Sequence, residues 1–283
     1  MILIDYNGIA ISNVVAMGIE IQEDVQEDMI RHMILNSIRM HRVKHKEKYG
    51  EIVICCDGSK NWRRDYFPQY KHKRKSARKE SKLDWNELFR ITNLVLSEIK
   101  ENFPWKVIDV DECEADDVIG ELVRGTQEFG QYENVMIISG DKDFAQLQSY
   151  GNVAQYSPVQ RKFIKEDNPK LQLWNLVLKG DTSDGVPNVL SSDNCFVDET
   201  RQTPLRQAKI DQLIQDPKSL GEEVYRNYIR NKTLIDLDNT PQEVKDKIAT
   251  QYNNYVLPRQ NVMNYLVEKR CRLLLEDIPA FIG

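Results

Sequence analysis

The chain has 283 residues, with 39 lysines and arginines against 44 aspartates and glutamates and a net charge of −5 at pH 7. Hydrophobic residues make up 41% of it, which excludes global disorder and permits one large domain or two. No apolar run is long enough to span a membrane, and five cysteines without a CxxC pair indicate reduced thiols in a cytosolic protein.

Strands and helices are predicted to alternate along the first part of the chain. The first apolar run lacks a basic leader, so it is interpreted as a strand and not as a signal peptide. Asp84 and Glu87 resemble a capping box that opens a helix, and Pro104 ends that helix. Short continuous apolar runs predict strands at 1–5, 52–56, 105–110 and 135–139. Residue spacing predicts further helices at 29–48, 115–129 and 143–149.

This alternation predicts an α/β fold in which a mostly parallel central sheet carries helices on both faces. After about residue 180 the chain becomes polar and rich in turn-forming residues, up to about residue 206. Helical patterns then follow at 210–214, 224–229, 244–252 and 262–275. We therefore predict a core domain at 1–180 and a smaller, mainly helical C-terminal domain at 181–283.

Carboxylates follow the apolar runs, and this is the most informative pattern in the chain. Parallel sheets bind ligands outside the carboxyl ends of their strands, so side chains that follow different strands can converge there. Each acid taken singly has an ordinary explanation as a cap or turn residue, and only the shared placement indicates one site. The acids are Asp5, Asp57, Glu114, Asp116, Asp117, Asp141, Asp143, Asp181 and Asp184.

Such a gathering of acids predicts a bound cation. Two like charges about 4 Å apart repel by about 1 kcal/mol in water and about 4 kcal/mol near a protein surface. A hard divalent ion removes this repulsion, and Mg²⁺ prefers oxygen ligands of this kind. The pattern therefore favours magnesium over zinc, which prefers histidine and cysteine.

A basic segment at residues 60–82 contrasts with the acidic remainder. It holds ten lysines and arginines against two acids, a net charge of +8 that leaves −13 for the rest of the chain. A run of this kind is usually a solvated face or a flexible loop. The aromatic residues Trp62, Tyr66, Phe67 and Tyr70 favour single-stranded nucleic acid instead, because bases stack on them while the cations neutralise phosphates.

The remaining signals exclude several enzyme classes. The histidines His32, His41, His45 and His72 are interpreted as surface residues, and none is placed like a member of a catalytic triad. No G-x-S-x-G or Walker A motif is present.

Several residues and motifs follow one another along the chain in this order: Asp5, Asp57, WRRDYFPQYKHKR, ECEADDVIG, ISGDKDF and LKGDTSDGV. Together they resemble the flap endonuclease / 5′-nuclease family, most nearly its members from T-even phages. The resemblance covers most of the chain. It implies a PIN-like nuclease core with an arch at about 60–83, through which single strands pass. It also implies a Mg²⁺-dependent 5′→3′ exonuclease and flap endonuclease that hydrolyses phosphodiesters near 5′ ends, removes RNA primers from RNA·DNA duplexes and processes 5′ flaps during DNA replication.

The resemblance also implies a role for each matching residue. Tyr70 would stack on a base, Lys71 and Arg74 would contact the scissile phosphate, and Arg63 and Arg64 would make further phosphate contacts. Two Mg²⁺ ions are implied, with Mn²⁺ able to substitute. The first acidic group, around the first ion, comprises Asp5, Asp57, Glu114, Asp116 and Asp141. The second acidic group comprises Asp143, Asp181 and Asp184, with Asp117 in support.

One departure from the family concerns the glycine-rich helix–turn–helix of the type G-x-G-x-K, which is absent after Asp184. We therefore expect a degenerate DNA-binding segment there. Expected partners are nucleic acids with 5′ ends, 5′ flaps or forks, and a single-stranded-DNA-binding protein or sliding clamp. We expect a monomer in the cytoplasm of a bacterial host, without membrane attachment.

Two alternatives stay open at this point. A phosphatase of the haloacid-dehalogenase type also places aspartates at strand ends, but Asp5-Tyr6-Asn7 lacks the second aspartate of its D-x-D motif. A non-catalytic nucleic-acid-binding protein would use the acids only as helix caps.

Overall fold

The computed structural model describes residues 1–16, 27–81 and 83–282, so Lys82 of the basic segment and Gly283 lie outside the described residues. Its centre is a six-stranded sheet in the order β3-β2-β1-β4-β5-β6, in which the pairing of β6 with β5 is antiparallel and the other pairings are parallel. The strands are β1 (Ile2–Asp5), β2 (Ile52–Cys55), β3 (Lys106–Ile108), β4 (Val135–Ile138), β5 (Val153–Ser157) and β6 (Lys162–Ile164).

The predicted mostly parallel α/β fold is confirmed, as are the four predicted strands. β5 and β6 were not predicted, because β5 has the buried polar residue Gln155 at its centre and β6 is a short, largely exposed edge strand. Neither presents the continuous apolar run that marks the inner strands of a parallel sheet.

Helices cover the sheet on both sides. The 115–129 prediction ends early, at Gly125, and the 143–149 prediction is a 3₁₀ segment at Lys142–Ser149. The helices are α1 (Tyr6–Ala16), α2 (Glu27–Tyr49), α3 (Trp62–Tyr66), α4 (His72–Glu80), α5 (Trp85–Asn102), α6 (Ala115–Gly125), α7 (Pro169–Lys179), α8 (Gln207–Gln215), α9 (Glu222–Ile235), α10 (Gln242–Asn253), α11 (Val262–Glu268), α12 (Arg272–Leu275) and α13 (Pro279–Ile282).

Local sequence explains several of these boundaries. Asp84 caps α5 as predicted, because its side chain accepts the backbone N–H groups of Asn86 and Glu87. The pattern predicted as one helix at 262–275 is divided into α11 and α12. Between them Arg270 adopts the left-handed region, with φ 54°, which an α-helix cannot continue through.

Each face of the sheet has its own core. Ile2 and Ile4 of β1 pack with α2 and α5 on one face, whereas Leu3 packs with α6 on the other. The C-terminal helices take part in both cores: Leu266 of α11 joins the first and Ile248 of α10 joins the second. The predicted division of the chain at residue 180 stays a prediction.

A third apolar cluster joins α7, α8 and α9 to the basic segment through Phe67 and Tyr70. The apolar run 176–178, which precedes Asp181 and Asp184, lies at the end of helix α7 and not in a strand. Beyond it, the chain from Gly180 to Arg206 is built of turns. Among the described residues, every helix is too short or too polar to cross a membrane.

Two of the histidines differ from the prediction that they lie on the surface. His41 and His45 of α2 are buried, and both rings pack against Tyr156 of β5, with centroid distances of 5.6 and 5.7 Å. Burial, together with the nearby ammonium of Lys44, lowers the pKa of each histidine to about 4. The apolar spacing of α2 did not reveal this, because a neutral histidine packs like an aromatic residue.

The two histidines predict an acid-sensitive fold. Their folded pKa lies below the unfolded value of 6.5, so their stabilising contribution is present above about pH 6.5 and is lost as the pH falls toward about 4. Denaturant unfolding at a series of pH values should show this loss. The double variant His41→Gln/His45→Gln should lose less stability over that range. His72→Gln, at an exposed position of the basic segment, is the control and should leave the slope unchanged.

Candidate active site

The acids that follow β1, β2 and β4 meet at the carboxyl edge of the sheet, as the parallel strands require. Asp57 Oδ1 accepts the backbone N–H of Ala115 at 2.9 Å, and Oδ2 accepts Asn7 Nδ2 at 2.7 Å. Asp5 Oδ2 accepts the hydroxyl of Ser139 at 3.0 Å. These bonds join the segments that follow four different strands, β1 to β4, so the first acidic group is held at the edge of the sheet.

A glycine permits the conformation of the first acid. Asp5 Oδ1 accepts the backbone N–H of Gly8 at 2.8 Å, so the carboxylate lies directly over that residue. A Cβ at position 8 would lie 2.3 Å from Asp5 Oδ2. A larger residue at this position would therefore displace the carboxylate.

Helix α6 delivers the next acids from its N-terminal turn. Glu114 is the N-cap residue, and Asp117 Oδ2 accepts the backbone N–H of Glu114 at 2.9 Å. Although burial opposes it, the cations Lys71 and Arg63 hold the pKa of Glu114 at about 2. Glu114 therefore stays charged at neutral pH.

The pKa values of two neighbouring acids are shifted upward instead. Burial, with added repulsion from Asp57 and Asp141, raises the pKa of Asp5 to about 6. Burial, followed by repulsion from Asp141 and Glu114, raises the pKa of Asp116 well above its usual value. The first acidic group is thus close enough for its members to oppose one another's ionisation.

The second acidic group is tighter. One carboxylate oxygen from each of Asp143, Asp181 and Asp184 lies within 4.8 Å of the others. Asp143 Oδ1 is buried and has no hydrogen-bond partner. Burial and repulsion from Asp141 and Asp181 raise the pKa of Asp143 to about 8. An unpartnered buried oxygen in an all-carboxylate set fits a hard divalent cation, since such ions prefer oxygen ligands.

The basic segment closes over both groups. The Tyr70 hydroxyl oxygen lies 2.9 Å from Glu114 Oε2 and 2.8 Å from Asp184 Oδ2. Lys71 Nζ forms an ion pair with Glu114, and Arg74 Nη2 lies 2.6 Å from Asp184 Oδ1. The backbone N–H of Lys71 also donates to Asp184 O at 2.7 Å. Residues 70–74 therefore bridge the two acidic groups.

Arg63 does not occupy the position expected of a phosphate contact. It is 2% exposed, both terminal nitrogens donate to Asp117 at 2.7 and 2.9 Å, and Nε donates to Leu234 O. Arg64 is exposed, as a phosphate contact requires. The difference arises because Arg63 finds a buried carboxylate distant in sequence, which no local pattern reveals.

The aromatic residues of the basic segment also differ from the expectation of base stacking. Trp62, Phe67 and Tyr70 are 9%, 4% and 4% exposed, and Tyr66 is 48% exposed. The apolar clusters contain the three buried rings, so they anchor the segment to the protein. Tyr66 is the aromatic surface that the segment offers to solvent.

Asp117 was expected to support the second ion, but it lies behind Glu114. It is 1% exposed and accepts hydrogen bonds from Arg63, from Trp62 Nε1 at 3.3 Å and from Thr240 Oγ1 at 2.7 Å. Its contacts position Glu114 and do not reach the second acidic group. Thr240, like Asn7 and Ser139, was not predicted, because each matters only through a partner distant in sequence.

Comparison with known families and proteins agrees with this geometry. Residues 1–172 match the N-terminal, resolvase-like domain of 5′–3′ exonucleases, and residues 167–281 match the C-terminal domain of T4 RNase H. The ribonuclease H of Enterobacteria phage T4 is 36% identical over 292 residues, which cover 99% of this chain and 95% of that protein. A 5′–3′ exonuclease of Buchnera aphidicola (subsp. Schizaphis graminum) is 32% identical over 147 residues, 49% of this chain and 48% of that protein.

Solved structures share the fold at lower identity. The T5 D15 protein, co-crystallised with metal ions, aligns with a TM-score of 0.61 and 15% identity over 88% of this chain and 97% of that one. The bacteriophage T5 D15 flap endonuclease, in a complex with DNA and metal ions, aligns with a TM-score of 0.61 and 16% identity over 88% and 96%. The chain is therefore a member of the 5′–3′ exonuclease family, and over nearly its whole length it is related to the ribonuclease H of phage T4.

Proposed function

We propose that this 5′–3′ exonuclease uses two Mg²⁺ ions to hydrolyse phosphodiesters near 5′ ends, removing RNA primers from RNA·DNA duplexes and processing 5′ flaps during replication. The observation that carries the proposal is the unpartnered, buried oxygen of Asp143 within the second acidic group, beside Lys71 and Arg74. Mn²⁺ is expected to substitute, because it accepts the same oxygen ligands. The relatives named above support nuclease activity.

The two acidic groups divide the metal ligands between them. The first ion would be held by Asp5, Asp57, Glu114, Asp116 and Asp141, and the second by Asp143, Asp181 and Asp184. When bound, two divalent ions activate a water molecule and stabilise both the attacking and the leaving oxygen of an in-line displacement. The oxygens are preorganised by the sheet edge and by α6, so little reorganisation is needed during the reaction.

Lys71 and Arg74 provide the positive charge of the protein itself. Arg74 is about half-exposed, with its guanidinium anchored on Asp184, so it can reach a phosphate at the mouth of the cleft. Lys71 is buried and lies between Glu114 and Asp184, 3.7 Å from Asp184 Oδ2. Both cations can therefore stabilise the charge that develops on the scissile phosphate.

The basic helix α4 is proposed to guide a single strand into the cleft, within an arch at residues 60–83. Burial and repulsion from Arg74 and Arg64 lower the pKa of Arg78, so positive charge is concentrated along this helix. A polyanion would neutralise this concentration of positive charge. The T5 flap endonuclease structure contains DNA, which supports DNA as a partner of this fold.

Several finer predictions rest on the resemblance to the family. One is the division into a core domain at 1–180 and a helical domain at 181–283 with a degenerate DNA-binding segment. Another is contact with a single-stranded-DNA-binding protein or a sliding clamp. A cytoplasmic location in a bacterial host and a monomeric state belong with them.

Digestion of a 5′-end-labelled, primer-bearing duplex tests the function directly. With Mg²⁺ we expect short labelled products, and with EDTA we expect none. A 5′-flap substrate run in parallel compares the two proposed substrate classes. Hydrolysis of a small phosphomonoester without cleavage of the duplex would indicate a phosphatase. Binding without cleavage in Mg²⁺, Mn²⁺ and Co²⁺ would indicate a non-catalytic protein and contradict the proposal.

A further inference from the structure

We propose that Asn231 and Arg230 of helix α9 are positioning residues for the second acidic group. The inference rests on the proposed function, because it concerns the ligands of the second ion. Neither residue touches the carboxylates. Both act on the backbone of the loop that carries Asp181 and Asp184.

That loop is short and closed on itself. Asp181 and Val186 form an isolated antiparallel bridge, with both backbone N–H···O distances at 2.8 Å. Gly180 precedes it with φ +69°, and a Cβ there would lie 2.3 Å from Val186 O. The two acids are therefore carried by a tight turn whose base consists of residues 180 and 186–187.

Helix α9 holds the chain on both sides of this turn. Asn231 Nδ2 donates to Val177 O at 2.8 Å, near the end of α7, and to Pro187 O at 2.9 Å, just beyond the turn. Arg230 Nη2 donates to the same Pro187 O at 2.9 Å. Asn231 is 0% exposed, so these carbonyls have no water to replace a lost donor.

The amide of Asn231 can take only one orientation. Its Oδ1 accepts Arg230 Nε at 2.9 Å, which leaves Nδ2 to face the two carbonyls. Arg230 in turn is held by an ion pair with Asp193. The pair therefore forms a rigid clamp across the base of the turn.

Rigidity matters here because the acids on the turn repel Asp143. One carboxylate oxygen from each of Asp181 and Asp184 lies within 4.8 Å of one from Asp143, and like charges at such distances repel. A loose turn would let the carboxylates move apart, and their oxygens could no longer contact one ion together. Groups that orient metal ligands from behind typically change metal affinity about 10- to 100-fold when they are removed.

The same helix offers a matched control. Asn227 lies one turn earlier, is 2% exposed, and its Nδ2 also donates to two carbonyls, of Val189 at 3.0 Å and Ser191 at 3.3 Å. Those carbonyls lie farther along the chain from the acidic turn. Asn227 Oδ1 also accepts a long hydrogen bond from Arg230 Nη1 at 3.4 Å, but Asn227→Leu leaves both side-chain donors to Pro187 O in place. Asn227→Leu and Asn231→Leu therefore remove the same kind of bond from the same helix, but only the second removes a donor from the base of the turn.

The test compares the metal binding of the full-length variants. In a Mn²⁺ titration, the free ion is measured by electron paramagnetic resonance. Asn231→Leu should weaken the affinity for one of the two bound ions about 10- to 100-fold. The Mg²⁺ concentration for half-maximal cleavage should rise in parallel, with KM for the duplex little changed and with activity recovered at high Mg²⁺. Asn227→Leu should bind Mn²⁺ like the parent, even if its melting temperature falls equally.

Identical Mn²⁺ curves for Asn231→Leu and Asn227→Leu would overturn the inference. If Asn231→Leu does not fold, Asn231→Ser decides the question, since it keeps one donor and should give a smaller shift in the same direction. No shift in that variant would also overturn it. If the parent protein itself shows no metal-dependent cleavage, the proposed function fails, while the Mn²⁺ curves still decide the role of Asn231.

Discussion

Asp143→Asn is expected to remove nearly all nuclease activity while leaving the fold intact. The second acidic group loses the charge on its one unpartnered buried oxygen, and with it the second ion. A catalytic metal supplies several kcal/mol of transition-state stabilisation, and each 1.36 kcal/mol is tenfold in rate, so we expect a loss of at least about 1,000-fold. Initial rates on the labelled duplex at saturating Mg²⁺ measure it.

The same substitution should not destabilise the metal-free protein. The folded pKa of Asp143, about 8, lies above its unfolded value, so its contribution favours the fold at low pH and is lost as the pH rises toward 8. Asparagine stays neutral and avoids this loss. In EDTA at pH 8, the free energy of unfolding of Asp143→Asn should equal or exceed that of the parent.

Asp109→Asn is the matched control for this prediction. Asp109 also follows an apolar strand, β3, but its carboxylate pairs with Lys100 at 2.6 Å. Its replacement should leave cleavage near the parental rate. Full Mg²⁺-dependent activity in Asp143→Asn would show that the second acidic group is not part of the catalytic centre.

Arg63→Met should have the largest effect on stability. The side chain of Asp117 is 0% exposed, so the substitution leaves a buried carboxylate without its cation. Breaking one partner out of a buried ion pair costs about 3–5 kcal/mol. Denaturant unfolding, with the free energy extrapolated to water, measures the loss. Cleavage should fall as well, because Asp117 also holds the backbone of Glu114.

Two further variants separate the buried charge from the loss of an arginine. Arg64→Met, at the exposed neighbouring position, should change stability by less than about 0.5 kcal/mol. The double variant Arg63→Met/Asp117→Asn removes both charges, keeps an oxygen that can accept the hydrogen bonds of Glu114, Trp62 and Thr240, and should be more stable than Arg63→Met alone. Unfolding of Arg63→Met at the parental denaturant concentration would contradict the assigned role of this pair.

The sequence alone predicted the scaffold and the meeting of the acids. Apolar runs at 52–56 and 135–139 are continuous because both faces of a parallel strand are buried, and this signal is local. Once the strands are parallel, their carboxyl ends must share one edge, so Asp5, Asp57 and Asp141 converge without any knowledge of side-chain contacts.

Local patterns failed where a polar residue is buried by a distant partner. Arg63 and Arg64 are neighbours in one basic run, yet Arg63 is buried on Asp117 and Arg64 is exposed. His41 was assigned to the surface, although it packs against Tyr156. In each case the local sequence is compatible with both environments, and the partner is distant in sequence.

The second acidic group depends both on local sequence and on contacts that only the tertiary structure reveals. Asp181 and Asp184 follow a helix, and their turn is braced by Asn231, which lies in a different helix and has no sequence signal of its own. The sequence by itself determined the strands β1 to β4, the helices with clear apolar periodicity and which acids lie near the sheet edge, because apolar periodicity and chain direction are local properties. Only the tertiary structure decided which charges are buried, paired or left without a partner, because the energy of a buried polar group depends on neighbours that the chain supplies from elsewhere.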